Sequence, residues 1–179
     1  MDLRRQNLLL GKIRHNLKTH VSVIVGYSEL LLEIAEEEDL GLQKIAPDIL
    51  QIRESGNFIL QDINKVFTLR GNFEVNIFEH IRTIADEFEH DVHETLEFIS
   101  KKVDRYLSKE FEGLNEECIE DFEKIRYSAG QLSSIIHCLI EIKVDRIEDL
   151  IDSGILTKAD FDLIDAFSSS LNVVPEVME

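Results

Sequence analysis

The sequence predicts an all-α fold: a four-helix bundle built from two tandem long helical hairpins, with short helices after it. Three observations carry this expectation. Apolar residues return at three- and four-residue steps over runs far longer than any strand. Helix breakers are scarce, with 2 prolines and 8 glycines in 179 residues. The second half of the chain also carries a displaced copy of the first half's pattern.

The first helix is read from Leu3 to about Glu37, on Leu10, Ile13, Leu17, Val21, Ile24, Leu31 and Ile34. The run "EEEDLGL" ends it, with Gly41 as the expected stop. A second helix follows from about Lys44 to Thr68, on Ile45, Ile49, Ile52, Ile59, Ile63 and Phe67, and "LRGNFEVN" breaks it. The third covers about Val75 to Lys109, on Ile77, Ile81, Ile84, Phe88, Val92, Leu96, Ile99, Val103 and Tyr106. The turn "EFEGLN" leads to a fourth, about Glu116 to Arg146, on Phe122, Ile125, Leu132, Ile136 and Ile140. Short helices follow, punctuated by Gly154, with a capping box at Thr157 to Asp160 and a frayed end at "LNVVPEVME". The organisation is therefore a first hairpin over 1–70, a second over 75–146, and short helices with a tail over 147–179.

Sliding the chain by 75 lays "IRHNLKTHVSVI" on "FEHDVHETLEFI", so that His15 falls on His90, Leu17 on Val92, Val21 on Leu96 and Ile24 on Ile99. Sliding it by 73 pairs Asp48 with Asp121, Ile52 with Ile125, Arg53 with Arg126 and Ser55 with Ser128. The two-residue difference falls in the connecting turn, where length changes are tolerated. One hairpin cannot hide its apolar stripe, whereas two packed together can. A monomeric pseudo-dimer is the favoured assembly, and a homodimer of chains is the alternative.

Composition narrows the partners. An apolar fraction of 44% supports a real core, and a formal charge of −17 argues against nucleic acid and against an anionic membrane surface. Neither a signal peptide nor a membrane span fits the N-terminal run, which charges and Gly11 interrupt. Cys118 and Cys138 are too few and too far apart for a disulfide framework or a zinc ribbon, and read as reduced, buried thiols of a cytoplasmic protein.

The stretch "RHNLKTHVSVIVGYSELL" resembles the H-box of sensor histidine kinases. That pattern is a histidine, an acidic or amide residue, an aliphatic, a basic residue, threonine or asparagine, usually proline, then an aliphatic run. His15, Asn16, Leu17, Lys18, Thr19, Val21, Ile24, Gly26, Tyr27 and Leu30 fit it. "IAPDILQIRESGNFILQDINKVF" looks like the partner helix of the same dimerisation and histidine-phosphotransfer domain. The likeness covers residues 5–70 well and 80–145 as a degenerate echo. It implies a phosphohistidine at His15, passed to an aspartate of a response-regulator receiver domain that itself holds Mg²⁺, with a sensor kinase as a further partner. It also associates Thr19, four residues after the histidine, with positioning water for receiver dephosphorylation.

Three departures qualify that inheritance. Asn16 replaces the acid that takes the imidazole proton in the family, and an amide is no base. His20 replaces the usual proline, so the helix should kink less. About 33 residues follow the fourth helix, and neither an asparagine box nor a glycine-rich nucleotide lid is readable. The expectation is a phosphotransfer chain that binds no cofactor and does not use ATP by itself.

Charge separates the two histidines. Leu3 through Ser28 carries five basic residues (Arg4, Arg5, Lys12, Arg14, Lys18) and no acidic one, while Val75 through Ser100 carries Arg82 against seven acidic residues. A phosphoryl group is favoured at His15, with Arg14 and Lys18 beside it, and repelled at His90. His93 stands where Lys18 does, and Glu94 where Thr19 does. His90, the degenerate counterpart, is read as structural, and His20 as an exposed residue that tunes docking. "EFEH" supplies one Glu-x-x-His at His90, and a di-iron bundle needs a second, which is not found; no metal site is assigned.

The expected function is therefore histidine phosphotransfer, with His15 as phosphoacceptor and Asn16, Lys18 and Thr19 around it. A bundle that only binds or sequesters a receiver or kinase is the alternative. A receiver phosphatase acting through Thr19 ranks third.

Overall fold

The computed structural model describes residues 3–36, 40–67, 77–108, 114–141 and 147–169. Six helices occupy these stretches: α1 (Leu3–Glu36), α2 (Leu40–Val66), α3 (Ile77–Leu107), α4 (Glu116–Glu141), α5 (Ile147–Asp152) and α6 (Lys158–Ser169). The four long ones form a bundle, and no strand occurs among the described residues. None of these helices is long and apolar enough to cross a membrane.

Each long helix buries the stripe that its periodicity announces, except that Ile34 and Ile140 are only half-buried, with Ala35 and Leu139 enclosed beside them. On α1 this runs from Leu9 and Leu10 through Ile13, Leu17, Val21, Ile24 and Leu31 to Ala35, and on α3 from Ile77 to Tyr106. The stripes meet in one continuous core, with Phe67, Phe88 and Phe122 as its largest fully buried side chains. The principal neighbours of α1 are α2 and α4, and those of α3 are α4 and α2. Helices α1 and α3 thus lie diagonally across the bundle.

Neighbouring helices run antiparallel, as cross-contacts at both ends require. Arg14 reaches the Phe67 carbonyl while Gly56 sits against Ile24 and Val25. Tyr106 bonds Asp48 and packs on Phe122, with 5.4 Å between ring centroids. At Gly56 the backbones of α1 and α2 approach so closely that a Cβ would lie 2.7 Å from Val25 Cγ2.

The internal duplication has a spatial counterpart. Leu17 and Val92, Val21 and Leu96, Ile24 and Ile99, and Ile52 and Ile125 are all buried, as matched core positions should be. Asp48 of α2 accepts a bond from Tyr106 and an ion pair from Lys102 at 2.9 Å, both on α3. In the other half Asp121 of α4 holds Lys124 at 3.1 Å, and that ammonium lies over the ring of Tyr27 on α1. Since Tyr27 is the register equivalent of Lys102, the same inter-hairpin seam is built twice with different chemistry.

Local chemistry sets the helix ends. Asn115 caps α4, its side-chain oxygen accepting from the Cys118 amide at 2.8 Å. Asp160 accepts from the Thr157 amide at 3.0 Å while its own amide donates to the Thr157 hydroxyl at 3.1 Å, the reciprocal capping box read from the sequence. Gly154, at φ 77°, closes α5 in the left-handed conformation.

Some expectations need correcting or fall outside the description. Gly41 lies inside α2 rather than ending α1; the stretch between the helices, 37–39, is outside the described residues. The breaks at 68–76 and 109–113, the end of the fourth helix beyond Glu141, and the tail from 170 are likewise outside them. Cys138 is half-buried, and only Cys118 is fully enclosed.

Candidate functional site: the His15 face of the bundle

His15 lies near the middle of α1 and is exposed. Its neighbours Ile13 and Leu17 point into the core, so the helix period itself turns the imidazole outward. Arg14 donates to the carbonyl of Phe67 at 3.5 Å, and the Phe67 ring meets Phe88 of α3 edge-on at 5.4 Å. One cross-section of the bundle therefore holds His15 on α1 and, two residues past Phe88, the exposed His90 on the diagonal helix α3.

The sequence-derived site residues diverge in their surroundings. Lys18 donates to the side-chain oxygen of Asn64 on α2 at 3.2 Å, which draws its ammonium towards the α1–α2 side of His15. The Thr19 hydroxyl donates to the His15 backbone carbonyl at 3.0 Å. Its proton is thus held within the helix, while its oxygen stays exposed and able to accept. Asn16 turns away from His15, because adjacent helical residues do not share a face. Its amide donates to the carbonyl of Ile155 at 2.8 Å, in the turn between α5 and α6.

That bond belongs to a larger attachment. Arg5 pairs with Asp165 at 2.8 Å and Lys12 with Asp160 at 2.7 Å, so α6 is held along the N-terminal half of α1. Ile155, Leu156 and Ile164 are buried in the same attachment. Lys12 and the Thr157 amide and hydroxyl together hold the Asp160 carboxyl low, at about 2. The charge argument changes accordingly: Arg5 and Lys12 are matched by acids of α6, and Lys18 is the basic residue that lines the same concavity as His15.

Beyond His15, an open concavity of about 740 Å³ is lined by Lys18, Thr19, Ser22, Val23, Gly26, Tyr27 and Leu30 of α1. It continues into a groove of about 790 Å³ between α1 and α4, where His20, Val23 and Tyr27 face Glu120, Glu123, Lys124 and Tyr127. Leu30 is 46% and Tyr127 65% exposed, so this floor is apolar and open to solvent. His20 is half-buried at its edge rather than fully exposed, and burial lowers its pKa. Sequence reasoning missed Tyr127 and Lys124, which belong to this face only because the second hairpin packs there. The sole available signal was the duplication, which aligns Lys124 with Gln51 and Tyr127 with Glu54 of the first hairpin.

No protein-family model, curated protein or solved structure matches the chain. The histidine-kinase likeness accordingly rests on the residues of the H-box and its partner helix.

Proposed function

We propose that this chain is a histidine phosphotransfer protein of two-component signalling, in which His15 receives a phosphoryl group from a response-regulator receiver and returns it. The observation that carries the reading is the exposed His15 imidazole at the head of an open, apolar-floored face shared by α1 and α4. A phosphoryl-transfer site of this kind needs in-line access and charge stabilisation more than an enclosed pocket. The face offers room for a docking domain, and Lys18 lines the same concavity as the ring.

In the forward step a neutral imidazole nitrogen donates its lone pair to phosphorus as the bond to the receiver's aspartyl oxygen breaks. The aspartate leaves as carboxylate, and the second ring nitrogen releases its proton to solvent. Return transfer reverses each movement, with Mg²⁺ supplied by the receiver. Asn16 takes no part in the proton traffic, since its amide is bonded to Ile155. Because that proton goes to water, the transfer as written calls on no adjacent base.

The experiment is incubation with a phosphorylated receiver domain. The expected product is an acid-labile, base-stable label on the chain that His15→Ala removes. An unchanged label in that variant refutes the assignment. The alternative, a non-catalytic bundle that binds or sequesters a receiver or kinase, draws on the engagement of Asn16 with Ile155. It predicts receiver binding that survives His15→Ala with no label moving at all.

A further inference from the structure

The duplication gives the α1–α4 groove a twin on the opposite side of the bundle. This second groove, about 450 Å³, runs between α2 and α3, and its lining positions other than Phe58 are register equivalents of positions lining the first. Its chemistry has diverged: Val23 becomes Phe98, Thr19 becomes Glu94, Lys124 becomes Gln51 and Tyr127 becomes Glu54. The result keeps two aromatic rings and two carboxylates but loses the lysine, so no basic side chain lines it. Phe58 is 49% exposed there, and Leu50, two turns away on α2, is 37% exposed. With Phe98 beside it, Phe58 supplies the apolar surface of this groove.

Glu94 belongs both to this groove and to an open acidic concavity on α3, where it joins Asp86, Glu87, Glu89 and Asp91. No lysine or arginine pairs with these carboxylates among the described residues. They do not gather as a metal site either, since no group of three His, Cys, Asp or Glu side chains suited to a metal occurs among those residues. What they do create is a negative field along one edge of a groove whose apolar part is Phe58 and Phe98. A channel between two antiparallel helices fits a third helix, and this field selects its charge.

We propose that the α2–α3 groove is a second docking surface, whose occupant is a basic amphipathic helix of another protein. Its apolar face covers Phe58 and Phe98, and its lysines or arginines lie against Glu54 and the α3 carboxylates. The bundle then has two unlike faces at matched positions of its two hairpins, and this inference stands independently of phosphotransfer at His15.

The test uses the full chain and a fluorescent synthetic helix of roughly 18 residues, about 27 Å long, with leucine and phenylalanine on one face and lysine and arginine on the other. Anisotropy should report saturable binding that weakens about tenfold with Phe58→Ala, as for a central apolar anchor. Glu54→Lys combined with Glu94→Lys should weaken it comparably, and added salt should weaken it further. Circular dichroism of the variants checks that the bundle is intact. A charge-reversed peptide should not bind. The proposal is overturned if the basic peptide fails to bind, or if Phe58→Ala leaves its affinity unchanged. It is overturned equally if unstructured polylysine binds as tightly, which would mean diffuse charge attraction. A wild-type dimer by sedimentation that Phe58→Ala dissociates would make the occupant a second copy of this chain, and would also overturn it.

Discussion

Replacing Gly56 with alanine should destabilise the bundle, although alanine is the better helix former. Gly56 is in the middle of α2, where an added Cβ would stand 2.7 Å from Val25 Cγ2 and 3.5 Å from Ile24 Cγ2. Carbon atoms rest at about 3.5–4.0 Å, so the Val25 methyl must retreat by roughly 1 Å. Valine on a helix holds essentially one χ1 rotamer, so the methyl cannot swing aside. Overpacking of this kind costs about 1–3 kcal/mol. The intrinsic preference for alanine over glycine returns about 1 kcal/mol. The net loss is about 0–2 kcal/mol, a fall in Tm of up to about 8 °C for a chain of this size.

A double-mutant cycle isolates the cause. Val25→Ala removes both Cγ methyls, and in that background Gly56→Ala should become stabilising by about 1 kcal/mol. Urea unfolding followed by circular dichroism measures all four corners. Stabilisation by Gly56→Ala in the presence of Val25, with no coupling between the two changes, would refute the close approach of α1 and α2 at this level.

The remaining predictions address the attachments. Asn16→Asp should loosen the C-terminal helices by about 1–3 kcal/mol, because a carboxylate cannot donate to Ile155; faster hydrogen exchange in α6 with an unchanged bundle core is the readout. Lowering the pH should loosen the same segment. Asp160 titrates at about 2, below its ordinary 3.8, so its contribution is complete above pH 4 and disappears as pH falls towards 2; Lys12→Ala should flatten that response. Tyr106→Phe should cost about 1.5–3 kcal/mol by removing a bond to the Asp48 carboxylate. Burial and Asp48 raise the Tyr106 pKa, so wild-type stability should decline above pH 10 and the variant should lack that decline in thermal melts.

Much of the bundle was legible because its signal is local and periodic. The apolar positions from Leu10 to Ile34 fixed the helix, and the outward direction of His15 follows from the inward Ile13 and Leu17. The match between the two halves was read for the same reason, since it pairs a core stripe and polar marks such as Asp48 and Asp121. Gly41 misled because a glycine near a helix start resembles one just past a helix end. Pro47, also in the early part of α2, carries no warning in the apolar pattern. The role of Asn16 was illegible, because its partner Ile155 is 139 positions away. Lys12 and Arg5 gave a basic segment whose neutralisation by α6 exists only after tertiary packing. The half-burial of His20 likewise depends on α4 arriving beside it.

The phosphotransfer account stands or falls on where the phosphoryl group goes in the unmodified chain. Peptide mapping at neutral pH, after brief incubation with a phosphorylated receiver, distinguishes the two histidines that share one bundle cross-section. The account predicts phosphate on the peptide containing His15, returning to the receiver on dilution with its unphosphorylated form, and none on the peptide containing His90. Phosphate on His90 alone, or on neither histidine, contradicts it.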